Sequence, residues 1–207
     1  MSLLTNWGYT LTDADSLPNM LDIDEFHAYT GGKYGGNDTH VYAEITAAAT
    51  AIRNFVGWHL YPSMECQLRT TISDRRITFV SSDILIQLPA RYVTEVTSVT
   101  IGGRECTDYF LDTNGLLRVF NVGVVERYAI VIVDYAAGLP KNMIAPIQEL
   151  IAHRVTHALA VPAGITSEAS GGVSVTYNAG WINNSSASGL AGNNKELLVP
   201  YKVQGVF

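Results

Sequence analysis

The stretch DYFLDTNGLLRVF, residues 108–120, sets Asn114-Gly115 between two short runs of aromatic and aliphatic residues. Asn-Gly suits the tight turns that join antiparallel strands, so this stretch reads as a β-hairpin and is the strongest turn signal in the chain. Working outward, the same period of two recurs in CQLRTTI (66–72), RITFV (76–80), DILIQLP (83–89), VTSVTIGG (96–103) and YAIVIVDY (128–135), each bounded by turn residues. Short strands at regular spacing argue for a compact antiparallel sandwich or barrel, here over residues 63–139.

On either side the period changes to that of a helix. Asp22 followed three residues later by Glu25 has the form of a capping box, Phe26 and Tyr29 share a face, and Gly31-Gly32 stops the turn. After GGKYGGN (31–37), Asp38 is expected to cap a helix whose apolar stripe runs through Val41, Ile45, Ala48, Ile52 and Phe55 and ends at Gly57. Beyond Pro140 a second stripe, Ile144, Ile147, Ile151, Val155 and Ala158, predicts a partner helix, with Pro146 tolerable only in its first turn. The fold class expected is α+β. Residues 21–62 and 140–161 form a small helical domain and 63–139 an inserted β-domain. Residues 1–20 are expected as an extended N-terminal segment and 162–207 as an extended C-terminal arm.

Within that arm, Val173, Val175 and Tyr177 alternate like one isolated strand. NNSSASGLAGNN (183–194) reads as a polar linker, and ELLVPYKVQGVF (196–207) as a terminal adhesive patch.

Composition narrows the function. Charged residues make up 15% of the chain, against about 25% in average soluble domains, which favours a subunit that buries much of its exterior against neighbours. The net charge of −6 and the absence of any Lys/Arg run exclude a duplex-gripping surface. No stretch approaches the roughly 20 apolar residues of a membrane span, and the N-terminal sequence lacks the pattern of a signal peptide. The two cysteines, Cys66 and Cys106, are expected as free thiols without metal spacing.

Candidate chemistry is sparse. Glu149, His153 and His157 lie one helical turn apart, but Arg154 stands where a zincin requires its glutamate, so no metal or catalytic role is assigned to them. GGKYGGND lacks the spacing of a phosphate loop, and GGVSVT around Ser174 lacks the second glycine of a nucleophile elbow. The acidic group Asp13, Asp15, Asp22, Asp24 and Glu25 fits helix starts and exposed loops. No enzyme activity and no cofactor is expected. Trp58 and Trp181 are weighed as sugar-stacking platforms and set aside because neither lies in the β insert.

Read in order, AEITAAATAIRNFVGWHLYP (43–62), LPARYVTEVTSVTIGG (88–103), VDYAAGLPKNMIAPIQELIAHRV (133–155), TSEASGGVSVTY (166–177) and LLVPYKV (197–203) resemble the head-to-tail adaptor, or head-tail connector, proteins of long-tailed bacteriophages. Tyr135, Gly138, Pro140 and the SE-x-x-G-x-x-x-V-x-Y stretch carry the resemblance most specifically. It implies a ring of identical subunits, usually twelvefold, beneath the portal of the head. A C-terminal segment would reach the portal, and the other face would receive the next connector or a tail protein. DNA would pass through the channel without sequence-specific binding, and the acidic balance would let it slide. Ser167, Glu168, Val173, Val175, Tyr177, Leu197, Leu198 and Tyr201 are the portal-docking candidates. The protein would reside in the virion neck after assembly in the host cytoplasm. The alternatives are another virion structural protein, for tail completion or capsid association, and a metal-dependent hydrolase using His153 and His157.

Overall fold

A computed structural model describes residues 3–12, 14–36, 38–112, 114–160, 167–170, 173–176 and 192–203. The fold is α+β, and the chain divides into two compact units. One comprises Asn19–Val56 and Asn142–Pro200, the other Met1–Pro18, Gly57–Lys141 and Tyr201–Phe207.

The first unit is built from helices. α1 (Ile23–Thr30) begins on Asp22, whose carboxylate accepts from the Glu25 N–H at 2.7 Å while the Asp22 N–H donates to Glu25 Oε2 at 3.1 Å. This reciprocal cap satisfies two donors that a helix start leaves open. Gly31 closes α1 in the left-handed conformation, φ +61°, where a side chain is disfavoured. α2 (Asp38–Val56) includes Asp38 within its first turn, and Val41, Ile45, Ala48, Ala49, Ile52 and Val56 are buried. The stripe therefore ends on Val56 and leaves Phe55 half-buried. α3 (Ala145–Ala160) takes Pro146 in its first turn and buries Ile147, Leu150, Ile151 and Val155 against α2. Ala158, expected on that stripe, is exposed, because the face turned to α2 ends at Val155. Buried Gln148 is satisfied, its amide donating to Met20 O at 2.9 Å and Glu25 Oε2 at 3.1 Å.

The second unit holds two antiparallel sheets. β1 (Leu3–Leu4), β2 (Thr10–Leu11), β3 (Met64–Thr71), β6 (Val93–Ile101), β7 (Arg104–Glu105) and β10 (Ile130–Ala137) form a six-stranded sheet in the order β1-β2-β3-β10-β6-β7. β10 lies in its middle and buries Val131, Val133, Tyr135 and Ala137 on alternate positions. Its opposite face, Ile130, Ile132, Asp134 and Ala136, is partly exposed, and there Asp134 accepts from Gln67 at 2.8 Å and from Ser98 at 2.6 Å. β4 (Ile77–Val80), β5 (Asp83–Gln87), β8 (Tyr109–Leu111) and β9 (Leu116–Val119) form a four-stranded sheet in the order β4-β5-β9-β8.

The expected hairpin joins β8 to β9, with Leu111 opposite Leu117. Its connection spans Asp112 to Gly115, closed by hydrogen bonds from Gly115 N to Asp112 O at 3.1 Å and from Asp112 N to Leu116 O at 2.8 Å. Gly115 has φ +75°, and a Cβ there would strike the carbonyl of Ala90. Conformation and close approach both demand glycine.

Three stretches fall differently from the sequence-based boundaries. Residues 3–11 are strands of the six-stranded sheet rather than a separate extended segment, since β2 pairs with β3, Leu11 opposite Cys66. Residues 57–62 belong with the sheets: His59, fully buried, holds the Tyr9 hydroxyl at Nδ1 (2.7 Å) and the Ala137 carbonyl at Nε2 (2.8 Å). Towards the C-terminus, α4 (Gly192–Leu198) and a 3-10 turn at Val199–Tyr201 replace the extended chain expected there.

Val173–Thr176 is not an isolated strand. As β12 it pairs with β11 (Ser167–Ser170), Ser170 opposite Val173 and Ser167 opposite Thr176. The mate precedes Gly171-Gly172 in the sequence. Among the described residues, no helix is long and apolar enough to cross a membrane.

Candidate functional site

The residues suspected of chemistry are dispersed or structurally committed. Glu149 and His153 lie on one face of α3 at 3.7 Å, with side chains 65% and 71% exposed, an ordinary solvated helix pair. His157, half-buried, follows one turn later. Among the described residues, no three His, Cys, Asp or Glu side chains converge as metal ligands. Residues 31–36 form successive turns, with the Lys33 ammonium over the Tyr34 ring at 5.4 Å. Asp22 and Glu25 are used as the cap of α1, and Asp13 lies outside the described residues.

Neither cysteine is poised as a nucleophile. Both are free. Burial pushes the Cys66 thiol up to about 12. Burial also raises Cys106, which lines a cleft of about 610 Å3 shared with Arg104, Glu105, Asp108, Asn121 and Glu126. A thiolate needs a cationic setting, and the carboxylates around Cys106 outnumber its one arginine. Trp58 is buried, its indole N–H donating to Tyr201 O at 2.7 Å, so it offers no face for stacking a sugar. Trp181 lies outside the described residues.

The docking candidates separate into three groups. Ser167 and Glu168 stand on β11 and Val173 and Val175 on β12, joined in one hairpin. Leu197 is 60% exposed at the end of α4. Leu198 is only 1% exposed, so it holds the chain's own structure and is withdrawn as a docking residue, while Tyr201 is half-buried and its main-chain carbonyl accepts from Trp58. Tyr177 lies outside the described residues.

No protein-family model matches the sequence, and no curated protein is similar to it.

What the sequence reading missed is the four-stranded sheet as a surface. Among the described residues its outer strands, β4 and β8, each pair on one side only. Phe79 on β4 is 53% exposed and Phe110 on β8 is 61% exposed, with Val80 exposed beside Phe79. Between these edges the sheet is well fixed. Arg118 on β9 donates to Asp83 on β5 at 2.6 and 2.9 Å, and this guanidinium holds the Asp83 carboxyl below its usual range. The signal was present in RITFV and DYFLD. Both runs carry an aromatic residue, and their charges flank the strand rather than interrupt it, whereas protected edges usually place a charge within the strand.

Proposed function

We propose that the chain is a structural adaptor that forms a ring beneath the portal of a bacteriophage head, joins head to tail and lets DNA pass through its channel. The observation that carries this reading is a sheet with two unlike apolar edges, unpaired among the described residues, on a chain poor in charge. A ring of identical subunits needs two different surfaces that meet by rotation. The order of sequence segments that resembles head-tail connectors supports the same reading. In it, the helical unit is the body, the β unit is an insert, and the C-terminal part supplies the contact to the portal. The net charge of −6 suits a channel through which DNA slides. The protein would act in the virion neck and catalyse nothing.

Portal docking falls to the β11–β12 hairpin and exposed Leu197. The test is co-sedimentation with the cognate portal protein. A Val173→Asp/Val175→Asp variant should lose portal binding, with a thermal melt of the same sample to show that it remains folded. Undiminished binding by this variant would remove the hairpin from the interface. Binding of the parent to a tail component but not to portal would favour a tail-completion protein instead.

A further inference from the structure

We infer that β4 of one copy pairs antiparallel with β8 of the next, so that the four-stranded sheet continues from subunit to subunit with Ile77 opposite Leu111 and Phe79 opposite Tyr109. The inference rests on the ring reading above and names the contact that would build it.

Strand direction comes first. Every neighbouring pair in β4-β5-β9-β8 is antiparallel. A copy placed beside β8 in the same orientation therefore presents its β4 antiparallel to β8, and no reversal is needed. Hydrogen-bond phase comes second. Gln87 N donates to Arg76 O, while Phe120 N donates to Asp108 O and Asp112 N to Leu116 O. In an antiparallel pair the bonded positions alternate, so Arg76, Thr78 and Val80 face β5, and Asp108, Phe110 and Asp112 face β9. The main-chain groups of Phe79, Tyr109 and Leu111 then point away from the sheet, and among the described residues no strand takes them.

The proposed register pairs Phe79 with Tyr109 through both main-chain bonds and sets the Leu111 N–H against the outward carbonyl of Ile77, whose own N–H is held by Asp74 O at 2.9 Å. It also keeps both faces continuous. The row Ile77, Ile86, Leu117, Leu111 would run on to Ile77 of the next copy, and the row Thr78, Leu85, Arg118, Phe110 to its Thr78. Charge is complementary as well. Arg75 precedes β4, and Asp108 and Asp112 bracket β8.

The other sheet shows how a closed edge looks. Its outer strands β1 and β7 are two residues each, and β7 is Arg104-Glu105. Short edges resist pairing, and at β7 charge adds to this, whereas β4 and β8, at four and three residues, carry no charge within the strand. Because the complementary edges belong to the same chain and differ from one another, a second copy is the fitting occupant, in a head-to-tail contact.

The register places Thr78 and Phe110 of adjacent copies at a non-hydrogen-bonded pair, where side chains come closest. The test is oxidative cross-linking of Thr78→Cys/Phe110→Cys in a Cys106→Ser background, on the free protein and on the portal-bound assembly. A ladder of covalent multimers is expected from the double variant. A mixture of the two single variants should stop at dimers. Independently, Phe79→Pro removes an outward N–H and the exposed ring while sparing the bonds to β5, and should raise the concentration required for assembly about tenfold or more with the circular-dichroism spectrum unchanged. Homotypic dimers from Thr78→Cys alone would overturn the inference by showing a symmetric β4–β4 contact. Rings that assemble normally with Phe79→Pro and give no ladder would also overturn it, leaving the ring reading intact. A parent protein that forms no multimer on portal would end both.

Discussion

At the scale of single residues, buried polar groups fix the β unit. The Ala137 carbonyl only accepts, so His59 carries its proton on Nε2, and Nδ1 accepts from the Tyr9 hydroxyl. That hydroxyl oxygen in turn accepts from the His59 N–H at 3.0 Å. Tyr9→Phe leaves two buried groups of His59 without this partner and should cost about 1–3 kcal/mol by chemical denaturation. Nearby in sequence, Asp74 links the turn before β4. Burial raises its carboxyl, but hydrogen bonds from Arg76 and Thr70 more than offset this and hold it well below the usual range. A lowered folded pKa contributes stability that is complete above the unfolded value, about 3.9, and is lost as pH falls through the folded value. Denaturation midpoints measured from pH 5 to pH 2 should therefore fall more steeply for the parent than for Asp74→Asn.

At the scale of elements, the C-terminal helix is an anchor. Leu198 is buried at the end of α4, which packs against α2, so Leu198→Ala should cost about 2–5 kcal/mol, read as a drop in thermal midpoint. Leu197→Ala, on the exposed side, should change it little. Elements with a local signature were legible in the sequence: the Asp22/Glu25 cap, the stripes of α2 and α3, and the Asn114-Gly115 hairpin. Those defined by distant partners were not. β1 and β2 are two residues each and show no period; they exist because Leu11 pairs with Cys66 and Tyr9 meets His59. α4 begins in a Gly/Asn-rich run that reads as linker, and its contact with α2 supplies what local propensity lacks. For the candidate surface, the apolar strands were readable, but their place at the two edges depends on strand order, which the sequence leaves open.

At the scale of the whole molecule, the proposed ring joins the low charge and the two sheet edges, open among the described residues, in one design, a subunit that its neighbours would complete. Repetition multiplies modest contacts into firm attachment, which suits a joint that must hold packaged DNA. The channel should then be neutral or negative, and DNA retention by a purified assembly should fall little between 50 and about 200 mM salt, unlike a phosphate-gripping protein. The most direct measurement is electron microscopy of the protein mixed with its cognate portal. The account predicts a closed ring of this chain stacked coaxially on the portal, with continuous density between the β units of neighbouring copies. Portal rings that remain bare at saturating protein would contradict it.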